Sequence, residues 1–539
     1  MNYKRLFFLL IMIGLITTLL SCQNQQPTDE ETTTTDDSEQ TTKSEQTEDS
    51  SDDVEYKDEL NIAITAQPPT LDPSMTVSQV ALNAASNIFE TLFTLTEQYE
   101  PVPMLADSVD ISDDGKQYTI KLREDIEFHN GKEMTSEDVV ASMNRWLETS
   151  SRAKSLLKNA NFEAEDDYTV LLTLDEATSD VLIIMATKAQ FPAIMPVEVI
   201  EEAEAEGVQE YIGTGPYQLE EWKQDQYIHL VNYENYQPVE EEPSGLAGKK
   251  EALVDNVYYH FVTDHATRIS GLQAGQYDVA DSIPLENYEQ INDDENIEFY
   301  AYDGGALTAF YNTNEGILAN EDIREAITTG LDMEAILVAS FVHENLYSLD
   351  PGYMNPSQEQ WQTDAGSEIY QANDIEKAKQ LLDDAGYNGE EVTLLTTKDY
   401  GEMYNATLVI QEQLRQMDMN VDVEVYDFPT FMDRKEDPNN WDLFVASTGY
   451  QLTPPQILAV TPDWAGFEHP QATELLSDIR LAESSDEAKE KWEELQQFMY
   501  EHLPSTVLGH YKSLVASTKN VEGFTVFEAP IVWNTKVTQ

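Results

Sequence analysis

The chain has 539 residues, with 30 Lys and Arg against 102 Asp and Glu, and carries a formal net charge of −72. Charged residues make up 24% of the chain, which is ordinary for a soluble protein. The unusual feature is therefore the excess of acidic over basic residues, not the number of charged residues. Such a surface repels phosphate backbones and anionic lipids, which excludes simple nucleic-acid binding and disfavours electrostatic docking on a membrane. The length predicts three or more domains, and the hydrophobic fraction of 41% is enough for packed cores.

The acidic composition also predicts a response to salt. Like charges repel each other at low ionic strength and are screened at high ionic strength. We therefore interpret the charge as a halophilic surface, adapted to a saline environment that the protein faces directly. An acidic secreted protein from an ordinary environment is the alternative.

The N-terminus has the organisation of an export signal. Lys4 and Arg5 precede an apolar run over residues 6–20, which is too short to cross a bilayer as a helix. Residues 1–21 are therefore predicted to form a signal peptide, and the rest of the chain is predicted to be exported.

The only cysteine, Cys22, follows directly after Leu19-Leu20-Ser21. This segment resembles the lipobox of bacterial lipoproteins, which implies cleavage before Cys22 and a lipid on its sulfur. A chance cysteine beside an ordinary cleavage site is the alternative. A lipid anchor suits an acidic protein, because insertion of hydrocarbon needs no basic patch. The expected location is the outer face of the cell membrane.

Residues 22–58 are of low complexity and rich in Ser, Thr and acids. They contain too few apolar residues to bury a core, and their like charges extend the chain. We predict a disordered tether between the lipid and the folded part. An acidic tail that binds a partner is the alternative.

From Glu59 onward the pattern is mixed α/β. Thr135 with Asp138 three residues later has the form of a capping box and predicts the start of a helix. The predicted strands, in chain order, are 60–64, 118–122, 217–219, 392–396, 421–425 and 443–445, and the predicted helices are 81–92, 135–147, 375–385 and 403–417. The strand–helix–strand order of the second half indicates a partly parallel sheet.

Signatures of catalysis are missing from the sequence. It has no His-Glu-x-x-His, no Gly-x-Ser-x-Gly, no phosphate-binding loop, no dinucleotide-binding glycine pattern and no thiol after Cys22. This favours a binding protein without metal or cofactor over an enzyme. A hydrolase with scattered acidic catalysts is the alternative, since carboxylates are abundant. His129 is interpreted as a structural histidine.

Several motifs then occur in one order. They are Thr70-Leu71-Asp72-Pro73, Phe128-His129-Asn130-Gly131-Lys132, Gly213-Thr214-Gly215-Pro216-Tyr217, Gly271-Leu272-Gln273-Ala274-Gly275, Tyr311-Asn312-Thr313, Ile323-Arg324-Glu325-Ala326 and Ala378-Lys379-Gln380-Leu381-Leu382. Together they resemble the family-5 solute-binding proteins of ABC importers, the dipeptide, oligopeptide and nickel group. The resemblance extends from about Glu59 to the C-terminus.

The resemblance implies an α/β fold with mixed sheets, a two-lobe clamshell of the type II, three-domain oligopeptide-binding kind. Domain I is expected to comprise residues 59–92, 198–300 and 509–539, domain II residues 93–197, and domain III, the second lobe, residues 301–508. The chain would cross between the lobes near Ala301-Tyr302 and near Leu508-Gly509, which would form a hinge.

The implied function is capture of a peptide or a similar small polar solute between the lobes and its delivery to the permease of an ABC importer. The implied protein is a monomeric lipoprotein of the Gram-positive kind. The alternative cargoes are an oligosaccharide, chelated nickel or a signalling peptide that a receptor recognises.

Ligand residues are expected on the second lobe. Peptide-binding relatives commonly carry an aspartate after the strand 443–445 to pair with the ligand's α-ammonium, and this chain has none between Asp442 and Asp463. A buried ammonium without a counter-charge is costly, so another acid would have to replace it. The resemblance points to these ligand-binding residues: Thr448, Gly449, Tyr450, Phe428, Arg434, Tyr311, Asn312 and Tyr353. For the aromatic residues the alternative is core packing, and for Arg434 it is pairing with Asp433 or Glu436.

Overall fold

The computed structural model of the protein describes residues 55–449, 451–460, 464, 466–482 and 484–539. The predicted signal peptide, Cys22, the tether up to residue 54 and Tyr450 lie outside the described residues. Within the described part of the chain, no helix is long and apolar enough to span a membrane.

Strands and helices alternate irregularly along the described residues. The strands are β1 (Glu59–Ile64), β2 (Phe93–Leu95), β3 (Pro101–Pro103), β4 (Ala106–Ile111), β5 (Gln117–Leu122), β6 (Asn161–Asp166), β7 (Thr169–Thr173), β8 (Tyr217–Lys223), β9 (Tyr227–Asn232), β10 (Asn256–Phe261), β11 (Val279–Ala280), β12 (Ile297–Tyr311), β13 (Tyr347–Ser348), β14 (Glu391–Thr397), β15 (Asn420–Tyr426), β16 (Leu443–Gly449), β17 (Ser505–Thr518), β18 (Val521–Glu522), β19 (Thr525–Val526), β20 (Pro530–Ile531) and β21 (Lys536–Val537). The helices are α1 (Gln79–Ala85), α2 (Ser136–Thr149), α3 (Ser151–Leu156), α4 (Val181–Ala186), α5 (Val197–Glu201), α6 (His265–Gln273), α7 (Tyr288–Asn292), α8 (Glu321–Gly330), α9 (Met333–Phe341), α10 (Ile375–Asp384), α11 (Gly401–Gln416), α12 (Phe428–Lys435), α13 (Pro470–Leu481) and α14 (Ser485–His502).

The largest sheet of the described residues is mixed, in the order β15-β14-β16-β12-β17-β11-β1-β10-β9-β8, with β13 added beside β17. The long strands β12 and β17 are antiparallel and link its two halves. Their register shifts between Asp303 and Gly305 and again between Leu307 and Thr308. Gly305 has φ 147°, and a Cβ there would lie 1.9 Å from the Thr448 carbonyl oxygen, so only glycine permits this approach of strands.

The predicted parallel unit of the second half is confirmed. Strand β14 pairs in parallel with both β15 and β16, and α11 connects β14 to β15. The capping box of α2 is also confirmed, because the Asp138 carboxylate accepts a hydrogen bond from the Thr135 backbone N–H at 3.0 Å. A separate four-stranded sheet, in the order β4-β5-β7-β6, packs against α2 and has a core of its own.

The helix predicted over 81–92 ends instead at Ala85. Just after the helix, the backbone carbonyls of Asn87 and Ile88 accept hydrogen bonds from the backbone N–H groups of Tyr217 and Gly215, at 3.1 and 2.9 Å. A Cβ at Gly213 would lie 2.1 Å from the Ile88 oxygen. The glycines of this motif therefore allow a loop to dock on the chain after α1, and that docking replaces the helix.

The tether is predicted to extend to residue 58, but residues 55–58 are already part of the described fold. Residues 55–58 are not part of a free tether, because Lys57 donates its backbone N–H to Val537 at 2.7 Å and Tyr56 bridges to Thr538. The Lys57 ammonium also pairs with the buried Asp278 at 2.8 Å. The C-terminal strand thus fixes the point at which the chain enters the fold.

Candidate functional site

Two adjoining cavities lie beside the paired strands β12 and β17. They measure about 520 Å³ and about 400 Å³ and share four lining residues: Gln79, Tyr302, Tyr511 and Ser513. Residues of both halves of the large sheet and of the part that carries the four-stranded sheet line them, so a ligand here would touch three parts of the molecule. A groove of about 750 Å³ over β5 and β7 is lined by that part alone and is open to solvent.

The floor of the two cavities is formed by the paired strands β12 and β17. Tyr302 lies opposite Ser513, and Tyr511 lies opposite Gly305 and stacks on Phe341 with 5.3 Å between ring centroids. Burial raises the pKa of both Tyr302 and Tyr511. Their hydroxyl groups therefore stay protonated at neutral pH and can both donate and accept hydrogen bonds.

A buried lysine lies at one side of the smaller cavity. Lys188 is 6% exposed and donates to the Asn83 side-chain oxygen at 2.8 Å. Burial lowers the pKa of Lys188 to about 8, although the carboxylates of Glu528 and Asp281 oppose this shift. Burial also raises the pKa of Glu528 and of Asp281. These charges share a poorly solvated space, in which an added ligand charge would interact strongly.

The lining is almost neutral, in contrast to the chain as a whole. It holds four acids and three bases, whereas the whole chain has 102 acids and 30 bases: Asp281, Asp303, Glu402, Glu528, Arg152, Lys188 and Lys512. Glu402 accepts a hydrogen bond from Ser447 at 2.9 Å, and Asp303 accepts one from Ser357 at 2.7 Å. The cavities can therefore complement a ligand that carries both signs of charge.

The segment after β16 and helix α13 contact the part with the four-stranded sheet beside the cavities. Leu452, in the segment after β16, is 2% exposed and belongs to the core of the part with the four-stranded sheet. Arg480 of α13 donates to the Leu156 carbonyl at 2.6 Å and lies 3.6 Å from the Asp180 carboxylate. These contacts hold the two sides of the cleft together.

The residues predicted after the strand 443–445 lie at this cleft in part. Gly449 lines the smaller cavity, and an added Cβ there would meet no atom within 4 Å. Thr448 donates its hydroxyl to the Ala306 carbonyl at 3.2 Å and so joins β16 to β12. Tyr450 lies outside the described residues, so its prediction stays a prediction.

Three other predicted residues are directed into the second lobe and line neither cavity. The Tyr311 hydroxyl bonds to Thr328 and Thr506 at 3.2 and 2.9 Å, and Tyr311 has no exposed surface. Asn312 donates to the Pro438 and Trp441 carbonyls, and Tyr353 donates to the Ser505 carbonyl at 2.6 Å. Their polar groups are used in packing the lobe, in contrast to the expectation of ligand contacts.

Phe428 and Arg434 lie on α12 and likewise outside the two cavities. The Phe428 ring packs edge-on against Tyr400, with 4.7 Å between centroids. The Arg434 guanidinium lies 4.4 Å from the centre of the Tyr426 ring and 3.5 Å from the Glu424 carboxylate. Its local partner is therefore Glu424, on the preceding strand, and not Asp433 or Glu436.

Sequence reasoning missed Gln79, Arg152, Lys188 and Glu528. Basic residues are scarce in this chain, and that scarcity could have raised Arg152 and Lys188 as candidates. No local pattern marks Glu528. Among the described residues, no group of three or more His, Cys, Asp or Glu side chains is arranged to hold a metal ion.

The arrangement defines a class of protein: a two-lobe α/β clamshell with mixed sheets and a charged cleft between the lobes. Residues 100–461 match the family described as "Bacterial extracellular solute-binding proteins, family 5 Middle". The chain belongs to this family, and the resemblance found in the sequence is confirmed.

Individual proteins agree with this assignment. The probable peptide ABC transporter periplasmic-binding protein y4tO of Sinorhizobium fredii is 27% identical over 489 residues, which cover 86% of this chain and 90% of that protein. The substrate-binding protein CtaP of Listeria monocytogenes has a TM-score of 0.76 at 22% identity, covering 87% of this chain and 96% of that one. The oligopeptide-binding protein AppA of Bacillus subtilis, in complex with a nonapeptide, has a TM-score of 0.68 at 20% identity, covering 88% and 97%. The predicted fold class is confirmed.

Proposed function

We propose that the protein captures short peptides, or a similar small polar solute, in the interlobe cleft and delivers them to the permease of an ABC importer without making or breaking a covalent bond. The observation that carries this proposal is the near-neutral lining of the cleft in a strongly acidic chain. A peptide has a charge of each sign at its ends and a polar backbone between them. The acids, bases and tyrosine hydroxyl groups of the cleft match these features.

Two of the relatives support a peptide as the cargo. The name of y4tO describes it as a probable peptide transporter component, and AppA is described with a bound nonapeptide. A second candidate is a protein of the same build for another polar cargo, because no aspartate occurs between Asp442 and Asp463. An acid from another part of the cleft, such as Glu528, would serve the first candidate.

We further propose that the protein acts at the outer face of the cell membrane, held by a lipid on Cys22 after removal of residues 1–21, and as a monomer. The charge-rich segment before the fold would give the binding lobes freedom to reach the permease. Replacement of Cys22 by Ala should release the protein into the medium. Retention at the membrane of a Cys22→Ala variant from which residues 1–21 have been cleaved would contradict the anchor.

The domain division proposed from the sequence gives the cleft a hinge in β12 and β17. The register shift near Asp303 and Gly305 is a point at which these strands can bend. Closure of the lobes on a ligand would then need changes in few backbone angles.

The binding experiment uses a defined peptide library. The purified protein is incubated with peptides of two to ten residues, separated from free peptide, denatured, and the released compounds are identified by mass spectrometry. The proposal predicts retention of unchanged peptides. Cleaved products would indicate a hydrolase, and retention of nothing from the library, together with binding of a glycan, would indicate another cargo.

A blocked variant controls for surface adsorption. Gly449 has open space around its Cβ position, so Gly449→Trp should fold and fill the cavity. Ile111→Trp adds the same ring at an exposed position on β4, outside both cavities. Retention should be lost in Gly449→Trp and kept in Ile111→Trp.

A further inference from the structure

A small cavity adjoins the smaller cleft cavity and shares Thr187 and Lys188 with it. It measures about 40 Å³. Five segments that are far apart in the chain meet around it: the residues after α1, strand β2, the loop after α4, the loop between β9 and β10, and the residues after β20. Its polar lining includes Glu90, Thr94, Thr187, Lys188 and Lys250. The proposed capture of a solute between the lobes makes no use of this cavity.

Two buried ammonium groups line the cavity, and neither uses all of its donors. Lys188 is 6% exposed and Lys250 is 5% exposed. Across the part of the chain that the structure describes, Lys188 makes one hydrogen bond, to the Asn83 side-chain oxygen at 2.8 Å, and Lys250 makes one, to Glu90 at 3.5 Å. An ammonium group has three N–H donors, so each lysine keeps donors for a partner that the fold does not supply.

Two threonines of the lining add hydroxyl donors. The Thr187 hydroxyl oxygen accepts the Ala189 backbone N–H at 3.3 Å, and its own proton has no acceptor within the described segments. Thr94 lies on β2 and is almost fully buried, and its hydroxyl bonds to no other group of the described residues. The cavity is therefore surrounded by donors from several segments.

The acidic residue of the lining, Glu90, is already in use. Its Oε1 accepts the Tyr236 hydroxyl at 2.8 Å, and its Oε2 accepts the Thr214 hydroxyl at 3.0 Å. The Lys250 ammonium lies 3.5 Å from Oε1, beyond the usual length of a hydrogen bond, and 4.8 Å from the centre of the Trp533 ring. Free donors therefore outnumber free acceptors around the cavity, which suits an anion.

The charge of the lining is positive. Two lysines face one glutamate here, whereas the whole chain has 102 acids and 30 bases. Glu528 and Asp281 attract the Lys188 ammonium, but they line the cleft cavities, and among the described residues no carboxylate lies within 4.0 Å of it. Burial lowers the pKa of Lys250 against the attraction of Glu90. One negative charge in the cavity would balance the excess and reduce the cost of burying both ammonium groups.

We propose that this cavity binds one small monovalent anion, chloride or another halide, between the ammonium groups of Lys188 and Lys250. A single water needs about 10–15 Å³ of such space, so about 40 Å³ holds a halide ion with a water or two and has no room for a peptide. The ion joins segments that are far apart in the chain and binds only where they meet, so it stabilises the folded protein. This site is independent of the cargo that the cleft takes.

Thermal unfolding at constant ionic strength tests the site. The full folded protein is melted in a sodium salt of about 0.5 M, in which chloride replaces gluconate, an anion too large for the cavity. The melting temperature should rise with the chloride fraction and then saturate, as expected for one ion that binds the folded state. Bromide should act like chloride. Screening of the acidic surface stays the same throughout, so equal melting temperatures in chloride and gluconate overturn the proposal.

Two neighbouring lysines provide the variant and its control. Lys250→Met keeps a long side chain but removes the ammonium group, and it should raise the chloride concentration at half-saturation about tenfold or more. Lys249→Met removes an exposed ammonium group, which pairs with Glu251 at 3.0 Å, and should keep the wild-type response.

A variant without a charge change covers the case in which Lys250→Met does not fold. Thr94→Val replaces one hydroxyl by a methyl group of similar size, and it should raise the half-saturating chloride concentration about threefold. An equal chloride response in the wild type and in the cavity variants overturns the proposal, because the chloride effect would then arise at the surface.

Bromide in a crystal of the protein locates the ion directly. Bromide scatters anomalously at its X-ray absorption edge, and water does not. The expected result is an anomalous peak inside the cavity, against Lys188 and Lys250, in the wild type and in Lys249→Met, and no such peak in Lys250→Met. Density for water alone in the wild-type cavity, or bromide only on the outer surface, overturns the proposal.

Discussion

Arg145 donates from Nη1 and Nη2 to the two carboxylate oxygens of Asp72, at 3.3 and 2.5 Å, and Asp72 has no exposed surface. Asp72 also accepts the Val208 backbone N–H at 3.0 Å. Asp72 precedes α1, Arg145 lies on α2, and Val208 lies in the loop before β8. One carboxylate thus joins three segments that are far apart in the chain.

Substitution of Asp72 by Asn should strongly destabilise the fold. The change leaves the Arg145 guanidinium without its counter-charge and removes one of two acceptor oxygens. Loss of one partner of a buried pair costs about 3 kcal/mol or more, measured as the free energy of unfolding in urea. Lys249→Ala, which breaks an exposed pair with Glu251, is the control and should leave the urea midpoint unchanged. Equal effects of the two variants would contradict the role of Asp72.

His129 should make stability depend on pH. Its Nδ1 accepts the Gly213 N–H at 3.3 Å, and its Nε2 donates to the Gly215 carbonyl at 3.0 Å, so the ring is held neutral. Burial lowers the pKa of His129 to about 4, although the hydrogen bond to Gly215 opposes this. As the pH falls from about 6.5 to about 4, the unfolded chain gains a proton that the folded protein does not, and stability decreases by about 2–3 kcal/mol.

The measurement is urea unfolding of the wild type and of His129→Gln at pH 7, 6, 5 and 4. The difference in stability between the two proteins should shrink as the pH falls, because the variant has no ring to protonate. His265→Gln, at an exposed position, should run parallel to the wild type. A constant difference between wild type and His129→Gln would contradict the neutral ring.

Stability should rise with salt. The chain has 102 acidic and 30 basic residues, and most of the acidic residues lie within the described fold. Salt screens the repulsion between these acidic residues. The melting temperature should increase from 0.1 to about 2 M NaCl, with most of the gain at the lower end, where the Debye length changes most. Sucrose at equal osmolality is the control for general solute effects. A flat or falling melting temperature would contradict the interpretation as a halophilic surface.

Tyr450 follows Gly449 directly and is expected to contact the ligand. Tyr450→Ala should weaken binding by about tenfold while unfolding stays cooperative, since a buried aromatic contact in an interface is worth more than 1 kcal/mol. Tyr400→Ala, which removes an exposed ring outside both cavities, is the control. Unaltered affinity in Tyr450→Ala would place the ligand elsewhere in the cleft.

Local patterns predicted much of the fold. Alternation predicted β1, the capping box predicted α2, and strand–helix–strand order predicted the parallel pairing around β14, because each depends on residues close in sequence. The end of α1 was not predicted, since it is set by hydrogen bonds from Gly215 and Tyr217, more than a hundred residues away.

The cleft was harder to predict than the fold. Arg152, Lys188 and Glu528 come together only through the tertiary fold, and none stands in a motif. Tyr311 was expected at the ligand because of the family resemblance and its place just past the expected hinge. Strand β12 is central in the sheet and buried on both faces there, so the Tyr311 hydroxyl finds its partners, Thr328 and Thr506, inside the lobe.

Small-angle X-ray scattering with added cargo tests the central claim most directly, namely that two lobes hold a small polar solute between them and release it unchanged. The protein is stripped of bound small molecules by unfolding and refolding, and scattering is recorded before and after a tetrapeptide with free termini is added. The account predicts a smaller radius of gyration with the peptide, no such change in Gly449→Trp, and recovery of the intact peptide by mass spectrometry. An unchanged radius for every solute offered, or recovery of a chemically altered peptide, would contradict it.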